Sequence, residues 1–320
     1  INFGTNPCGE IILRPREFCN LTEVVVRSTD DVDSLYAKCY WAAYLGTVQS
    51  TYTYFPFLST LNSDWETNCN EERLLGVSLT GITDNPLMTN ANAGLDKTLA
   101  FLKNNVVITN KKIAAKLGIP QSKATTCVKP SGTVSQLVDS SSGIHTRHSS
   151  YYIRTVRADN MDPMTSFMKA KGFPHEPLEG APDKTTVFSF PTRAPDKCLT
   201  RDSLDAIAQL ELWKVYQVNW CEHSVSCTIT VREHEWITVA AWVHENFDIV
   251  SGLSFLPHSD HIYRQAPYQE VTMLEYAHAV VSMPNGVDWS ELAQFEQEDH
   301  TKSSQMFACS GDSCEIVDIT

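Results

Sequence analysis

Asn6-Pro7-Cys8-Gly9-Glu10-Ile11, followed by Phe18-Cys19-Asn20-Leu21, is the stretch on which the reading of this 320-residue chain turns. It sets two thiols eleven residues apart, with a carboxylate two positions after the first and an amide two positions before it. Glu10 can hold or remove a proton, Asn6 can orient a hydroxyl, and Cys8 can react at sulfur. Pro7 fixes the backbone and Gly9 frees it, so the same residues also read as a plain tight turn with Cys8 a small apolar member. The rest of the chain has to decide between these readings.

The length allows a large core in one big domain or two smaller ones. With 42% apolar and 20% charged residues the composition is that of a soluble globular protein. No apolar run approaches the ~20 residues of a membrane helix. No basic n-region with an apolar h-region marks export, and the expected location is cytoplasmic. A net charge of −13 argues against a general nucleic-acid surface. It leaves room for a nucleotide, whose phosphates backbone N–H groups can hold. Ten cysteines are scattered irregularly and no C-x-x-C occurs, which favours a reducing compartment over a disulfide framework. Cys39, Cys69, Cys127, Cys198, Cys221 and Cys227 read as core packing. His145, His148 and His223 lack ligand spacing, and no metal is assigned.

Apolar spacing predicts helices over Asp30 to about Tyr54, Glu71 to Gly81, and Leu95 to Leu117, the last stopped by Gly118-Ile119-Pro120. Further helices are expected at Met164–Lys171, Asp202–Trp220 and Glu233–Asn246, and one after the capping box Thr272-Met273-Leu274-Glu275. Thr125–Val128, Tyr151–Val156, Thr185–Phe190, Val225–Val231 and Ile249–Phe255 read as strands. Strands alternating with helices imply an α/β fold with a parallel, covered sheet. Beyond about Asn285 charge dominates, and a flexible tail is expected.

Two more motifs carry chemistry. Lys129-Pro130-Ser131-Gly132-Thr133 puts small residues between a strand and a short helix, which suits an anion site or a plain capped turn. Lys129 itself reads as the weaker member, a solvated neighbour. Cys309 and Cys314 close a short loop near the C-terminus, either as idle thiols or as a pair poised for thiol–disulfide exchange.

Taken in order, these motifs resemble the ribonucleotide reductase large chain. Gly143-Ile144-His145, Tyr151-Tyr152-Ile153-Arg154, Glu222 to Ser226 and Gln265 to Glu270 resemble its adenosylcobalamin-dependent branch. A Tyr-Tyr pair expected of the oxygen-dependent branch is missing from Leu256–Tyr263. The glycyl-radical branch, for its part, lacks an equivalent of Glu10. The resemblance implies the second half of a ten-stranded α/β barrel. Residues 1–28 would form the active-site finger loop, 29–285 the half-barrel with its phosphate loop, and 286–320 the tail. Cys8 would be the thiyl residue, Glu10 the base on the 3′-hydroxyl, Asn6 a substrate partner and Cys19 one of two reducing cysteines. Ser131, Gly132 and Thr133 would bind substrate phosphate, and Cys309 with Cys314 would shuttle electrons from thioredoxin or a similar reductant. The implied cofactor is adenosylcobalamin, and the substrate a ribonucleotide, with a triphosphate favoured. The other reducing cysteine would lie in a missing N-terminal part, since the chain opens on Ile1-Asn2-Phe3. Two rivals remain: a non-radical thiol oxidoreductase using Cys8 and Cys19, and an inert fragment that binds only nucleotide or a partner chain.

Overall fold

The computed structural model describes residues 2–53, 57, 63–90, 94–258 and 264–296. The chain opens with β1 (Gly4–Thr5), β2 (Ile12–Leu13), β3 (Asn20–Val25), α1 (Val32–Gln49), α2 (Asp64–Glu72), β4 (Leu75–Thr80) and α3 (Leu95–Leu117). There follow β5 (Thr126–Cys127), α4 (Val134–Leu137), β6 (Tyr151–Asp159), α5 (Pro163–Ala170), β7 (His175–Pro177) and β8 (Thr185–Arg193). The last elements are α6 (Ala206–Asn219), β9 (Cys227–Val231), α7 (Trp236–Glu245), β10 (Leu253–Pro257), β11 (Tyr268–Glu270) and α8 (Met273–Val281). Contacts divide them into two units. One comprises Ile1–Arg147 and Asp196–Ser259, the other His148–Pro195 and the described part of Asp260–Thr320.

The first unit is built on parallel strands. β3 pairs with β4 from Asn20↔Leu75 to Val25↔Thr80, and β4 with β5 at Val77↔Thr126 and Ser78↔Cys127. A parallel bridge, Val128↔Val225, carries the sheet on to β9, which pairs with β10 from Cys227↔Leu253. Five strands thus follow one another in chain order, joined by helical crossovers as parallel pairing requires. This is the layout expected of a partial barrel. Leu35, Cys39 and Ala43 of α1, Leu99, Leu102 and Val106 of α3, and Trp213 and Tyr216 of α6 pack with Val77, Leu79, Ile229 and Val231 of the strands.

Two expectations fail here. The helix expected over Glu71–Gly81 is instead the end of one helix and a strand: Leu75, Val77 and Leu79 alternate with Gly76, Ser78 and Thr80 in β4, and both faces are buried. The helix there, α2, ends at Glu72, where Arg73 turns left-handed at φ 44°. Strand β3 was not anticipated at all. By contrast α3 runs Leu95–Leu117 as expected and closes on Gly118 at φ 69°, and α1 starts at a capping box formed by Asp31 and Ser34.

The second unit departs from the parallel expectation. β6 and β8, expected in the parallel sheet, instead pair antiparallel over nine residues, in a four-stranded sheet ordered β11-β6-β8-β7. Thr272 and Glu275 form the expected capping box at the start of α8. Of the tail expected from residue 286, the described part packs. Trp289, in a 3-10 turn over Trp289–Gln294, lies 5.4 Å from the Phe167 ring and 6.0 Å from Phe173, and Phe295 lies 5.5 Å from Phe167. Its aromatic residues outweigh its charge.

Candidate active site

Residues 6–10 form the tip of the β1–β2 hairpin. Thr5 pairs with Ile12, the Asn6 amide donates to the Ile11 carbonyl at 3.2 Å, and the Gly9 amide donates to the Asn6 carbonyl at 3.0 Å. Gly9 sits at φ +78°, a conformation that costs glycine little and other residues more. The tip is docked against the sheet, since the Ser224 amide donates to the Glu10 carbonyl at 3.0 Å. Gly252 makes room, because a Cβ there would stand 3.2 Å from the Gly9 carbonyl oxygen and 2.9 Å from that of Val225. Asn6 spends its carboxamide on the loop, its Nδ2 donating to Glu10 Oε1 at 2.6 Å while its Oδ1 accepts from the Ile11 amide at 3.1 Å.

Glu10 is fully buried, and its two oxygens are treated differently. Oε1 accepts from Asn6 and from Lys129 Nζ at 2.8 Å, whereas Oε2 is buried without a partner. A bare carboxylate oxygen in a closed site is costly unless something fills it, which marks it as a place to accept a proton or a hydroxyl. Lys129 also donates to Cys8 Sγ at 3.7 Å. Its side chain is therefore tied into the loop, and the reading of a solvated neighbour is corrected. Burial lowers its pKa, but the bond to Glu10 and the charges of Glu10 and Cys8 raise it more, for a net upward shift.

Cys19 leads into β3. Burial first, then the carboxylates of Glu10 and Glu17, push its thiol pKa up strongly, so it keeps its hydrogen at neutral pH. Burial likewise pushes up the neighbouring Cys127 thiol. Of the cysteines expected to pack in the core, Cys39, Cys69, Cys127, Cys221 and Cys227 are buried, and Cys198 is half-buried.

The 131–133 loop lies next in the chain to Lys129. The Ser131 amide donates to Ser142 Oγ at 2.9 Å, and its hydroxyl donates to Glu23 Oε2 at 2.9 Å and accepts from the Ser135 amide at 3.1 Å. Thr133 caps the one-turn α4 without a side-chain bond. Glu23 was not singled out from the sequence; the alternation of Thr22-Glu23-Val24 in a strand was its only signal. Burial raises its pKa, opposed by Ser131 and Lys129. His145 and His223 bond to the backbone, His145 at Ser142 O and the Thr228 amide, and His223 at Leu75 O. Cys309 and Cys314 lie outside the described residues.

No family model matches the chain. It is 30% identical over 309 residues to the adenosylcobalamin-dependent ribonucleoside-triphosphate reductase of Lactobacillus gasseri, covering 86% of this chain and 40% of that protein. The enzymes of the same name from Lactobacillus delbrueckii and Euglena gracilis are 27% and 29% identical, over 98% and 97% of this chain and 45% and 42% of theirs. A crystal structure of a B12-dependent (class II) ribonucleotide reductase superimposes with a TM-score of 0.75 at 26% identity, over 92% of this chain and 44% of that one. The chain is a homologue of the class II ribonucleotide reductases. It spans less than half the length of these relatives. The class II resemblance drawn from scattered motifs thus extends across nearly the whole sequence, and the mixed α/β fold with its parallel half agrees with it.

Proposed function

We propose that this chain is the C-terminal catalytic portion of an adenosylcobalamin-dependent ribonucleoside-triphosphate reductase, with the rest of the barrel and the second reducing cysteine supplied by the remainder of the enzyme. One observation carries the reading: at the hairpin tip, Cys8 and Glu10 Oε1 share the Lys129 ammonium while Glu10 Oε2 is buried without a partner, within a chain homologous to such enzymes. The cofactor, when bound, supplies a carbon radical able to take a hydrogen atom from a thiol. Cys8 fits as that thiol, since it is part-exposed on the tip.

As a thiyl, Cys8 removes the ribose 3′ hydrogen, a feasible exchange because S–H and ribose C–H bonds are of similar strength. Glu10 Oε2 accepts the 3′-hydroxyl proton. The 2′-hydroxyl leaves as water on taking a proton from the reducing pair. That pair, Cys19 and its partner, gives up two electrons and its second hydrogen to C2′ and becomes a disulfide, Glu10 returns the proton to the 3′-oxygen, and Cys8 returns its hydrogen to C3′. Cys19 suits this role because its surroundings keep it a neutral thiol. The phosphates go to the 131–133 loop. Ser131 has its amide and hydroxyl engaged within the chain, so Gly132 and Thr133 supply the N–H groups. Cys309 and Cys314 then re-reduce Cys19 by exchange with a thioredoxin-type protein.

The test is to assemble the chain with the rest of the enzyme, adenosylcobalamin and a dithiol, and assay deoxynucleotide. The unaltered enzyme is expected to turn over and Cys8→Ser to give no product while binding nucleotide normally. Near-normal product from Cys8→Ser would sink the radical assignment.

A further inference from the structure

Lys129 stands apart from the rest of its loop. Its backbone is fixed on both sides: the amide donates to Ser78 Oγ at 2.9 Å, and the carbonyl lies against Gly143, where a Cβ would come within 2.6 Å of the carbonyl oxygen. From this anchored point the side chain reaches the hairpin, at Glu10 Oε1 at 2.8 Å and Cys8 Sγ at 3.7 Å. Two of the three ammonium donors are therefore spent on the two residues proposed to act on the ribose. Glu23, from β3, is the other carboxylate whose charge it feels.

We infer that Lys129 is a positioning residue for the thiol and the base rather than a phosphate ligand: it ties down one Glu10 oxygen so that the other meets the 3′-hydroxyl, and it orients Cys8 beside it. The inference rests on the functional reading above. Its physical basis is that a fully buried carboxylate needs a counter-charge, and that Oε1 with two donors cannot rotate freely to exchange places with Oε2. A point charge on a flexible stem suits this, because it can satisfy a carboxylate and a thiol at once.

Lys129→Met and Lys129→Arg in the complete enzyme distinguish the roles. Lys129→Met is expected to lower kcat by about 100-fold with KM unchanged, and Lys129→Arg to recover most of the loss. A rise in KM with kcat preserved would mean that Lys129 holds phosphate and would overturn the proposal, as would normal kinetics. A second measurement needs no turnover and no change at Lys129. In this chain, labelling of the Lys129 amine by an acylating reagent, read by mass spectrometry, should be several-fold faster in Glu10→Gln than in the unaltered chain, because the ammonium loses its partner. Equal labelling rates would overturn the ion pair on which the proposal stands. If the unaltered enzyme makes no deoxynucleotide, the functional reading fails, and the labelling alone decides the pairing.

Discussion

Two buried carboxylates of the first unit meet their cations in opposite ways. Asp84 is clasped by Arg147 with both oxygens in use: Oδ1 accepts from Nε at 2.9 Å, and Oδ2 accepts from Nη2 at 2.8 Å and from the Ser141 amide at 2.9 Å. Arg147 also reaches Asp139 at 2.9 Å, so the loop from 139 to 147 is fastened to the 3-10 turn carrying Asp84. Glu10 has its lysine and its amide on one oxygen and nothing on the other. A carboxylate with both oxygens answered is finished as structure. One with a bare oxygen in a closed pocket has stability withheld from it, and that shortfall is available to a substrate.

The largest effect that can break this contrast is on turnover. Glu10→Gln should lower kcat of the complete enzyme by about 10²–10⁴-fold, since a base is lost, while changing the denaturation midpoint of the chain little. A Glu10→Gln enzyme that works normally but unfolds early would make the hairpin tip a structural clasp like the other. Next comes Arg147→Met, which leaves Asp84 buried and uncompensated and should destabilise the chain by about 3–5 kcal/mol in urea unfolding. Asp84→Asn should cost less, because the buried Arg147 keeps a counter-charge in the exposed Asp139. Full stability in Arg147→Met would remove the distinction.

The smallest effect comes from a third carboxylate, Glu17, which is buried with one oxygen bonded to the Arg14 amide and the other unpartnered. Burial raises its pKa from 4.5 to about 7; the amide and the charge of Arg14 oppose this, and nearby Glu72 adds to it. The folded state thus binds the proton more tightly than the unfolded chain. Stability from this group is present below pH 4.5 and is lost as pH rises through about 7. Glu17→Gln should raise the melting temperature at pH 8 and change it little at pH 4, by differential scanning calorimetry. An equal shift at both pH values would show that Glu17 does not titrate in this range.

Much of the site was legible because its chemistry is local. Asn6, Cys8 and Glu10 lie within one turn, and the thiol Cys19 follows after a short hairpin strand, so their joint use needs only a loop. The α3 helix was legible for the same reason: its apolar stripe and its terminal Gly118 are properties of neighbouring residues. What failed was whatever depended on partners distant in the sequence. The Glu71–Gly81 stretch divides at Arg73 into the end of α2 and a strand buried on both faces, and β6 and β8 gave no sign of whether their partners would run parallel or antiparallel. The sequence by itself determined which side chains could do the chemistry and that they stood in a turn. Only the tertiary structure brought Lys129 across 119 residues to Glu10, seated Glu23 against Ser131, and left one oxygen of Glu10 bare. Those are contacts between segments that neighbour in space and not in sequence, and a spacing pattern cannot record them.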